Sequence, residues 1–506
     1  MLCLSKQFIP KGRSSYRVGS IAHSLLKCFS GTTHYPKQQW DEHEEKRNEY
    51  LYHPDGKSVY VRTFGCSHNM SDGEYMKGLL SQGGYNITLN KEEADVWVIN
   101  TCTVRDKSVN SFQSLYDEAK RSGKTVVIAG CMTEADRDMK KRFTQDSIVG
   151  VTEIGSIKEV VDAALTHHPV HTQKQDTLPP LDLPKIRKDP SVEIIPISLG
   201  CNGSCTFCQT KLARGNLRSY QIAEILKRVD QSVKEGVSEI WLTSEDTGAY
   251  GQDIHSSLTT LLTAVTHRVE STHVMVKLGM TNPPYLRPIL PQLATLLTHK
   301  NVFSYLHIPV QSGSDAVLRR MNRKYRVSDF VAICDALSDA VPGVTLSTDI
   351  IVGFPFETEE DFAQTMRLLK SLRLDIVHYS RYYARPHTVA AQFPQLPMRV
   401  VKPRVKELSD WFKGLRPYDG LVDKYFCVWV SGEVEGENRC CHTKNYTKVV
   451  IPNDVSLRPG DMLVVRCDEA TRFHVNAHVV ERVEGLKKMT LSPNELVATN
   501  MDALLP

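Results

Sequence analysis

The chain lacks several features that would place it in a specialised class of protein. No uninterrupted apolar run reaches the length of about 20 residues that a membrane-spanning helix needs, so we predict a protein that is soluble or anchored by other means. The formal net charge is only +4 over 506 residues, so any nucleic-acid surface must be a local patch. The 13 cysteines are an odd number scattered over a long chain, which argues against a secreted disulfide scaffold and favours metal-binding thiols in a reducing compartment.

The first forty residues contain no acidic side chain, because the first carboxylate of the chain is Asp41. They contain several serines and six cations: Lys6, Lys11, Arg13, Arg17, Lys27 and Lys37. This bias is typical of a mitochondrial presequence, and a disordered basic arm has the same composition. Because the composition fits a disordered arm as well as a presequence, we predict a cytoplasmic protein, with a mitochondrial location as the alternative.

Three cysteines lie within eight residues, directly after the apolar run 194–200. Cys201, Cys205 and Cys208 have the spacing C-x3-C-x2-C. Three thiolates can hold three irons of a [4Fe–4S] cluster and leave the fourth open, and this spacing is the one that radical S-adenosylmethionine (SAM) enzymes use. The alternative is a zinc knuckle, which needs four nitrogen or sulfur ligands, and no fourth cysteine or histidine lies near this group. The pattern favours the cluster.

A second group of cysteines follows three apolar strand-like segments separated by stretches of helical composition. These segments span residues 59–64, 95–99 and 125–129. They predict a parallel sheet, and Cys66, Cys102 and Cys131 follow their ends. In open α/β sheets the carboxyl edge is where ligands bind. We therefore predict a second three-thiolate cluster site, with small residues in tight turns as the alternative.

The centre of the chain repeats strand and helix signals after a proline-containing linker at residues 166–190. Apolar residues of one helical face between Ile222 and Val233 are followed by Gly236 and by a strand at 239–243. Further strands are predicted at 275–279, 304–309, 345–352 and 375–379, with one helix capped by Thr358-x-x-Asp361. Six such units form an open or partial (β/α) barrel, whose chemistry lies at the carboxyl ends of the strands, where Cys201–Cys208 falls.

The C-terminal region changes to short strands with turn residues between them. They span residues 427–430, 448–451, 462–465 and 475–480, which predicts a small β-barrel. Side chains suited to RNA contact are Lys424, Tyr425, Arg439, Lys444, Tyr446 and Lys448, and a solvated face is the alternative. The group Cys440-Cys441-His442 is interpreted as structural or incidental, because adjacent cysteines do not easily face one ion.

From about Val59 to Glu481 the chain resembles the radical-SAM tRNA methylthiotransferase family, and most of all the branch that acts on threonylcarbamoyladenosine. The matching blocks are residues 63–69, 100–104, 129–131, 183–188, 201–208, 210–217, 239–251, 278–284 and 307–312. The C-terminal barrel is similar to the TRAM domain of such enzymes. The resemblance implies an α/β protein in which an N-terminal parallel-sheet domain, a central partial (β/α) radical-SAM barrel and a TRAM-like barrel follow one another.

The resemblance also implies the cofactors and the reaction. Two [4Fe–4S] clusters are implied, an auxiliary one on Cys66, Cys102 and Cys131 and a SAM-binding one on Cys201, Cys205 and Cys208. Reductive cleavage of SAM gives a radical that activates C2–H of the modified adenosine beside the anticodon, and the auxiliary cluster presents the sulfur, which a second SAM methylates. The implied partners are tRNA and a reductase or a flavodoxin- or ferredoxin-like electron donor, while the sulfur donor stays open.

Three polar residues after the strand at 239–243 are candidates for binding SAM. Ser244, Glu245 and Asp246 are suited to its amino or ribose groups, and the alternative is that they cap the following helix.

The predicted domain organisation has six parts. They are an extension at 1–55, the auxiliary-cluster domain at 56–165, the linker at 166–190, the radical-SAM core at 191–416, the RNA-binding barrel at 417–484 and a tail at 485–506. Two departures from the family pattern, at Phe356 and at 384–390, affect the predicted substrate fit and not the predicted cluster ligands.

Alternative functions are a methylthiotransferase for a protein side chain, one for isopentenyladenosine in tRNA, and a non-catalytic tRNA-binding iron–sulfur protein. The branch-specific blocks disfavour the protein substrate, and the presence of all six cysteines disfavours the non-catalytic reading.

Overall fold

The computed structural model of the chain describes residues 56–103, 106–372 and 374–483. The predicted N-terminal extension, with its presequence-like composition, and the predicted tail lie outside the described residues. Within the described ranges, no helix combines the length and the apolar character needed to cross a membrane.

The N-terminal part contains a five-stranded parallel sheet with the strand order β2-β1-β3-β4-β5. Its strands are β1 (Ser58–Thr63), β2 (Asn86–Thr88), β3 (Val96–Thr101), β4 (Thr125–Gly130) and β5 (Ser147–Val149). Its helices are α1 (Ser67–Gln82), α2 (Asp106–Arg121), α3 (Cys131–Ala135), α4 (Met139–Arg142) and α5 (Ile157–Leu165). The central strand β3 is buried along its whole length. Val96 and Val98 pack on one face, while Trp97 and Ile99 pack on the other, as expected for a parallel strand covered on both sides.

The register of this sheet brings three strand ends together. Thr63 pairs with Asn100, and Asn100 pairs with Ala129, so β1, β3 and β4 end side by side. The predicted parallel sheet and its three strands are therefore confirmed. Strands β2 and β5 were not predicted, because three residues are too few to show a periodic pattern.

The central part contains six parallel strands in two three-stranded sheets, β10-β9-β6 and β11-β12-β13. The strands, with a short antiparallel hairpin β7–β8, are β6 (Val192–Pro196), β7 (Ser198–Leu199), β8 (Arg218–Ser219), β9 (Glu239–Thr243), β10 (Met275–Leu278), β11 (Tyr305–His307), β12 (Thr345–Val352) and β13 (Ile376–Arg381). A parallel bridge between Val276 and Val302 links the two sheets. The strands therefore follow one another in chain order around a partial barrel, as predicted.

The helices of the central part cover the outside of the strands around one large apolar core. They are α6 (Thr210–Arg214), α7 (Ile222–Lys234), α8 (Leu258–Val269), α9 (Pro283–Leu286), α10 (Leu290–Thr298), α11 (Asp315–Arg320), α12 (Val327–Ala340), α13 (Glu359–Ser371) and α14 (Met398–Gly414). Helix α13 begins with the predicted cap, in which the Thr358 hydroxyl accepts the backbone N–H of Asp361 at 3.1 Å and the Asp361 carboxylate accepts the N–H of Thr358 at 2.9 Å.

The segment predicted as a linker is bound to both of its neighbouring domains. The buried ammonium of Lys185 lies 3.3 Å from the Glu74 carboxylate on α1 and 2.8 Å from the Glu193 carboxylate on β6. Arg187 pairs with the same Glu193 at 2.6 Å, and Arg228 on α7 pairs with it at 2.9 Å. A buried carboxylate with three cationic partners holds its charge, and it draws the linker and α1 against the central barrel.

The C-terminal part is a closed five-stranded barrel with the order β14-β15-β16-β18-β17. Its strands are β14 (Tyr425–Glu435), β15 (Asn438–Thr443), β16 (Lys448–Pro452), β17 (Met462–Ala470) and β18 (Val475–Arg482). The predicted small barrel is confirmed, although β15 was missed because it lacks a run of β-branched residues. Cys440 and Cys441 are consecutive residues of β15, both are buried, and Cys441 belongs to the barrel core.

Two residues that sequence analysis placed on the RNA-binding face instead hold the barrel to the central part. Lys444 is fully buried and donates to the carbonyls of Leu297, at 3.0 Å, and Val302, and to the Ser304 hydroxyl at 2.9 Å. The Tyr446 ring packs edge-on against Phe303, with centroids 4.8 Å apart. The prediction that Lys444 contacts RNA is wrong, because its burial in the domain contact excludes a polyanion. Tyr446 is partly buried in the same contact.

We expect Lys444→Met to lower the free energy of unfolding by about 2–4 kcal/mol, because three buried acceptors lose their donor while the apolar stem is kept. Urea denaturation followed by fluorescence measures the change. Lys424→Met is the matched control, since Lys424 is exposed, and it should change stability by less than about 0.5 kcal/mol. Equal unfolding curves for the two variants would contradict a structural role for Lys444.

Candidate functional site

The first cysteine group lies at the carboxyl edge of the N-terminal sheet, as the strand register requires. Cys66 follows β1 and is exposed, whereas Cys102 and Cys131, which follow β3 and β4, are buried. Gly65 adopts φ +107°, and a Cβ atom there would lie 2.4 Å from the Cys102 sulfur. Glycine is therefore required for the turn that carries Cys66 to lie against Cys102. Burial raises the pKa of the Cys131 thiol to about 12.

The buried amide of Asn69 on α1 fixes the turns that carry this group. Its nitrogen donates to the carbonyl of Phe64 at 2.6 Å and to that of Thr101 at 3.0 Å, which are the residues just before the Cys66 turn and before Cys102. Its oxygen lies 3.9 Å from the Cys131 sulfur. One side chain thus sets the relative positions of all three cysteine-bearing turns.

The second cysteine group lies at the carboxyl end of the first barrel strand, and each of its sulfurs accepts a hydrogen bond. The backbone N–H of Gly203 donates to Cys201 Sγ at 3.1 Å, and that of Thr210 donates to Cys208 Sγ at 3.3 Å. The guanidinium of Arg323 donates to Cys205 Sγ at 3.2 Å. Burial nevertheless raises the pKa of the Cys201 thiol to about 12, against the opposing effect of the Gly203 donor.

The spacing of the sulfurs bears on what the two groups hold. In a tetrahedral zinc site with Zn–S bonds of 2.3 Å, the sulfurs are about 3.8 Å apart. Among the described residues, neither cysteine group places its three sulfurs within 4.8 Å of one another, whereas two other clusters bring three ligand atoms that close. The thiols are therefore spaced more widely than a single ion requires, and this suits a cluster in which each thiol binds its own iron.

Arg214, which is almost fully buried, contacts the first cysteine group from the segment that follows the second. This residue ends α6, the helix after Cys208, and its Nε donates to Cys131 Sγ at 3.4 Å. Its Nη2 binds the Asp72 carboxylate at 2.5 Å, and its Nε lies 3.2 Å from Glu245. The apolar sides of α3 and α6 pack together beside it. Arg214 therefore connects the turn of one cysteine group to the helix of the other.

The structure places the three predicted SAM-binding residues in different surroundings. The Glu245 carboxylate is bound by the protein, through His68 Nδ1 at 2.8 Å, Arg214, and the backbone N–H of Gly200 at 2.8 Å. Ser244 accepts the backbone N–H of Asp246 at 3.1 Å. No described hydrogen bond of these side chains caps the following 3₁₀ turn (Thr247–Ala249).

Asp246 is connected to the second cysteine group through two side chains. Its carboxylate accepts the backbone N–H of Asn282 at 3.1 Å and the side-chain amide of the same residue at 2.7 Å. The Asn282 oxygen accepts a hydrogen bond from Arg323, which also donates to Cys205. Burial raises the pKa of Asp246 to about 6, against the opposing effect of these donors.

Sequence analysis gave no role to several residues that organise this site. They are His68, Asn69, Asp72, Arg214, Asn282 and Arg323. His68, Asn69 and Asp72 lie on α1, which is buried through polar side chains and so has no apolar stripe to reveal its packed face. Arg214 lies six residues after Cys208, so a basic residue soon after the cysteine loop was the signal available.

Two family matches cover the parts of the chain that carry the cysteine groups. Residues 195–369 match the Radical SAM superfamily. Residues 58–150 match "Uncharacterized protein family UPF0004". The two matched segments contain Cys201, Cys205 and Cys208 and Cys66, Cys102 and Cys131, respectively.

Similar proteins share one name. A Danio rerio protein named threonylcarbamoyladenosine tRNA methylthiotransferase is 43% identical over 452 residues, which cover 87% of this chain and 81% of the relative. A Homo sapiens protein of the same name is 44% identical over 84% of this chain and 75% of the relative. A Pyrococcus horikoshii protein named as a probable enzyme of this kind is 35% identical over 83% of this chain and 99% of the relative.

A solved structure shares the fold. The radical S-adenosylmethionine methyltransferase TsrM from Kitasatospora setae, with cobalamin and a [4Fe–4S] cluster bound, matches with a TM-score of 0.50 at 12% identity, over 72% of this chain and 80% of that chain. At this identity the likeness concerns the fold alone.

We expect Arg214→Gln to lower the free energy of unfolding by about 3–5 kcal/mol, because Asp72 and Glu245 would be left as buried carboxylates without their guanidinium. Urea denaturation measures the loss. Arg218→Gln is the matched control four residues along, since Arg218 donates only to carbonyls at 3.3–3.5 Å near the surface. If the free energy of unfolding falls equally little in both variants, Arg214 does not hold the two cysteine-bearing parts together.

Proposed function

The chain belongs to the threonylcarbamoyladenosine tRNA methylthiotransferase family, and from that membership we propose how its two cysteine groups share the reaction. The reaction converts N6-threonylcarbamoyladenosine of tRNA to its 2-methylthio derivative by radical SAM chemistry. The observation that carries the proposal is the position of Arg214, which touches a sulfur of the first cysteine group from the helix that follows the second. A base that reacts with both groups in turn must lie between them, so the groups have to be held at a defined separation.

We propose that Cys201, Cys205 and Cys208 hold one [4Fe–4S] cluster and that Cys66, Cys102 and Cys131 hold another. When bound, the cluster on Cys201, Cys205 and Cys208 would supply the electron that cleaves SAM, and the cluster on Cys66, Cys102 and Cys131 would supply the sulfur that is inserted at C2. The donor sets support this assignment, because each group offers three thiols, which is the number that leaves one iron of a [4Fe–4S] cluster open.

The residues around the second cysteine group (Cys201, Cys205 and Cys208) have separate proposed roles. Asp246, Asn282 and Arg323 form a hydrogen-bonded row that ends at Cys205, and we assign this row to the polar groups of SAM. Ser244 orients the Asp246 backbone at the start of the row. Glu245 is assigned a positioning role in place of a direct SAM contact, because His68, Arg214 and Gly200 already bind its carboxylate.

The division of the chain supports separate tasks for its parts. We propose that residues 56–165 carry the sulfur-presenting group, that 191–416 form the radical-SAM core, and that 417–484 bind RNA. Lys424 is exposed and Arg439 is partly exposed on the C-terminal barrel, so both are accessible to phosphate. Lys444 is excluded from this surface by its burial against the core, and Tyr446 packs on Phe303 of the core.

Replacing Cys102 by alanine should abolish sulfur insertion and lower the iron content of the reconstituted protein from about eight to about four. Cleavage of SAM to 5′-deoxyadenosine should persist, since it uses only the Cys201, Cys205 and Cys208 group. Iron analysis, chromatography of 5′-deoxyadenosine and nucleoside mass spectrometry measure the three quantities. Cys334→Ala is the control, because Cys334 is a buried cysteine of the apolar core. This variant should keep the iron content, the SAM cleavage and the sulfur insertion of the wild type. If the Cys102 variant forms the methylthio nucleoside at the normal rate, the group of Cys66, Cys102 and Cys131 has no part in the reaction.

The double variant Lys424→Ala, Arg439→Ala should bind tRNA about 3- to 10-fold more weakly at low salt. Its plot of log affinity against log salt should be shallower by about 1.4, which is the loss of two phosphate contacts to single-stranded RNA. Fluorescence anisotropy over a salt series gives both values. Lys227→Ala, Arg268→Ala is the control with the same charge change on the outer helices α7 and α8. Identical salt slopes for all three proteins would exclude the barrel as a phosphate-binding surface.

A further inference from the structure

Phe356 has an unusual backbone conformation for an aromatic residue. It lies in the loop between β12 and α13 with φ +64°, in the left-handed region that bulky side chains avoid. The residue is 47% exposed, so burial in the core does not explain why the conformation is kept. Strained, exposed residues of this kind concentrate at sites that bind ligands.

The loop of Phe356 is directly connected to the second cysteine group. Arg320 donates from Nη1 to the Phe356 carbonyl at 3.1 Å, and the Arg320 carbonyl accepts the Thr206 hydroxyl at 2.9 Å. Thr206 lies between Cys205 and Cys208. Arg320 therefore connects the backbone of Phe356 to the cysteine loop through two hydrogen bonds.

A second aromatic ring reaches the same place by another route. Phe393 lies against Phe356, with ring centroids 5.8 Å apart and planes inclined by 52°. The turn before Phe393 is tied to the cysteine loop, because the Ala390 N–H donates to the Thr206 carbonyl at 2.9 Å. Phe393 also packs on a small apolar cluster that includes Phe207 of the cysteine loop. Phe393 thus supports Phe356 from the protein side and leaves its outer surface to solvent.

Exposed side chains of both signs lie on the two helices next to the loop, with Glu359 and Glu360 in the first turn of α13 and cations at the start of α14. The first turns of α14 lie beside the loop, since Val401 packs against Gly353 and Arg404 pairs with Glu357 at 2.9 Å. Arg399 and Lys402 flank Val401 and are exposed. An exposed aromatic surface with cations beside it suits a nucleobase on the ring and phosphates on the cations.

We propose that Phe356, supported by Phe393, forms a stacking surface for one unpaired nucleobase of the tRNA anticodon loop, with Arg399 and Lys402 binding the adjoining phosphates. This inference rests on the proposed function, because it assumes that the substrate is tRNA. Stacking one loop base at the rim would hold the loop open and leave the neighbouring modified base free to enter the space between the cysteine groups. The rings select an unpaired loop over a duplex, since paired bases present no free face.

The test compares three substitutions in the full-length holoenzyme. Phe356→Trp keeps an aromatic face, Phe356→Leu keeps apolar bulk and the strained backbone, and Phe356→Gly removes the side chain together with the strain. The affinity for an anticodon stem–loop RNA that carries threonylcarbamoyladenosine is measured by anisotropy, and methylthiolation gives KM and kcat for tRNA. Thermal melts confirm that each variant folds, and the glycine variant should melt no lower than wild type.

We expect the leucine and glycine variants to bind the stem–loop about 10-fold more weakly and to show an equal rise in KM, with kcat within about 3-fold of wild type. The tryptophan variant should stay within about 3-fold in all three quantities. If backbone strain and not the ring mattered, the leucine variant would behave as wild type and the glycine variant would not, and the proposal would fail.

A second measurement identifies the base. The affinities of wild-type and Phe356→Gly holoenzyme are measured for stem–loops that each carry an abasic site at one loop position. At one position, the abasic site should lower the affinity of the wild-type enzyme about 10-fold and leave the affinity of the glycine variant unchanged. The proposal is overturned if no loop position behaves in this way, or if the leucine and glycine variants bind the stem–loop as tightly as wild type. The two rings would then be a surface for a protein partner. A wild-type enzyme that does not methylthiolate tRNA contradicts the proposed function itself, so the two failures are distinguishable.

Discussion

The arrangement of the site depends on one buried cation. Arg214 extends from the radical-SAM core into the N-terminal domain, where it meets Asp72 and the sulfur of Cys131, and Glu245 of the core lies beside it. A buried guanidinium is costly to desolvate, and the cost is offset only when its carboxylate partners keep their geometry. The same contacts join the start of α3, where Cys131 lies, to the end of α6, which follows Cys208. The Lys185–Glu193 pair acts alongside it, because it fastens the linker between α1 and β6.

The C-terminal barrel is joined to the core by a different kind of contact. Lys444 donates to the core at the end of α10 and beyond it, and Tyr446 packs on Phe303. These contacts are made by the surface that joins the domains, so the RNA-accessible cations of the barrel lie elsewhere. The barrel is therefore fastened to the core through buried contacts.

The rim around Phe356 shows how the core is adapted to a large substrate. Its strained backbone is bonded to Arg320 of α11, which is bonded in turn to the cysteine loop, and the next residue, Glu357, pairs with Arg404 of α14. Rigid coupling of a binding ring to a reaction centre lowers the entropy lost when the substrate is positioned. Arg320 has two tasks here, since its backbone holds Thr206 and its side chain holds the Phe356 carbonyl.

Local sequence determined most of the longer strands, the order of the domains, and the six cysteines with their spacing, because alternation, turn residues and C-x3-C-x2-C depend on neighbours in the chain. It missed β2, β5 and β15, which show no such pattern. It could not determine that Arg214 would meet Asp72, residues 142 positions apart, or that Lys444 would be buried rather than bind RNA. Nor could it distinguish Glu245 from Asp246, adjacent carboxylates of which one is occupied by His68 and Arg214 and the other reaches Cys205 through Asn282 and Arg323. The physical reason is that the energy of a charged side chain depends on which partners surround it after burial, and packing between distant segments decides those partners.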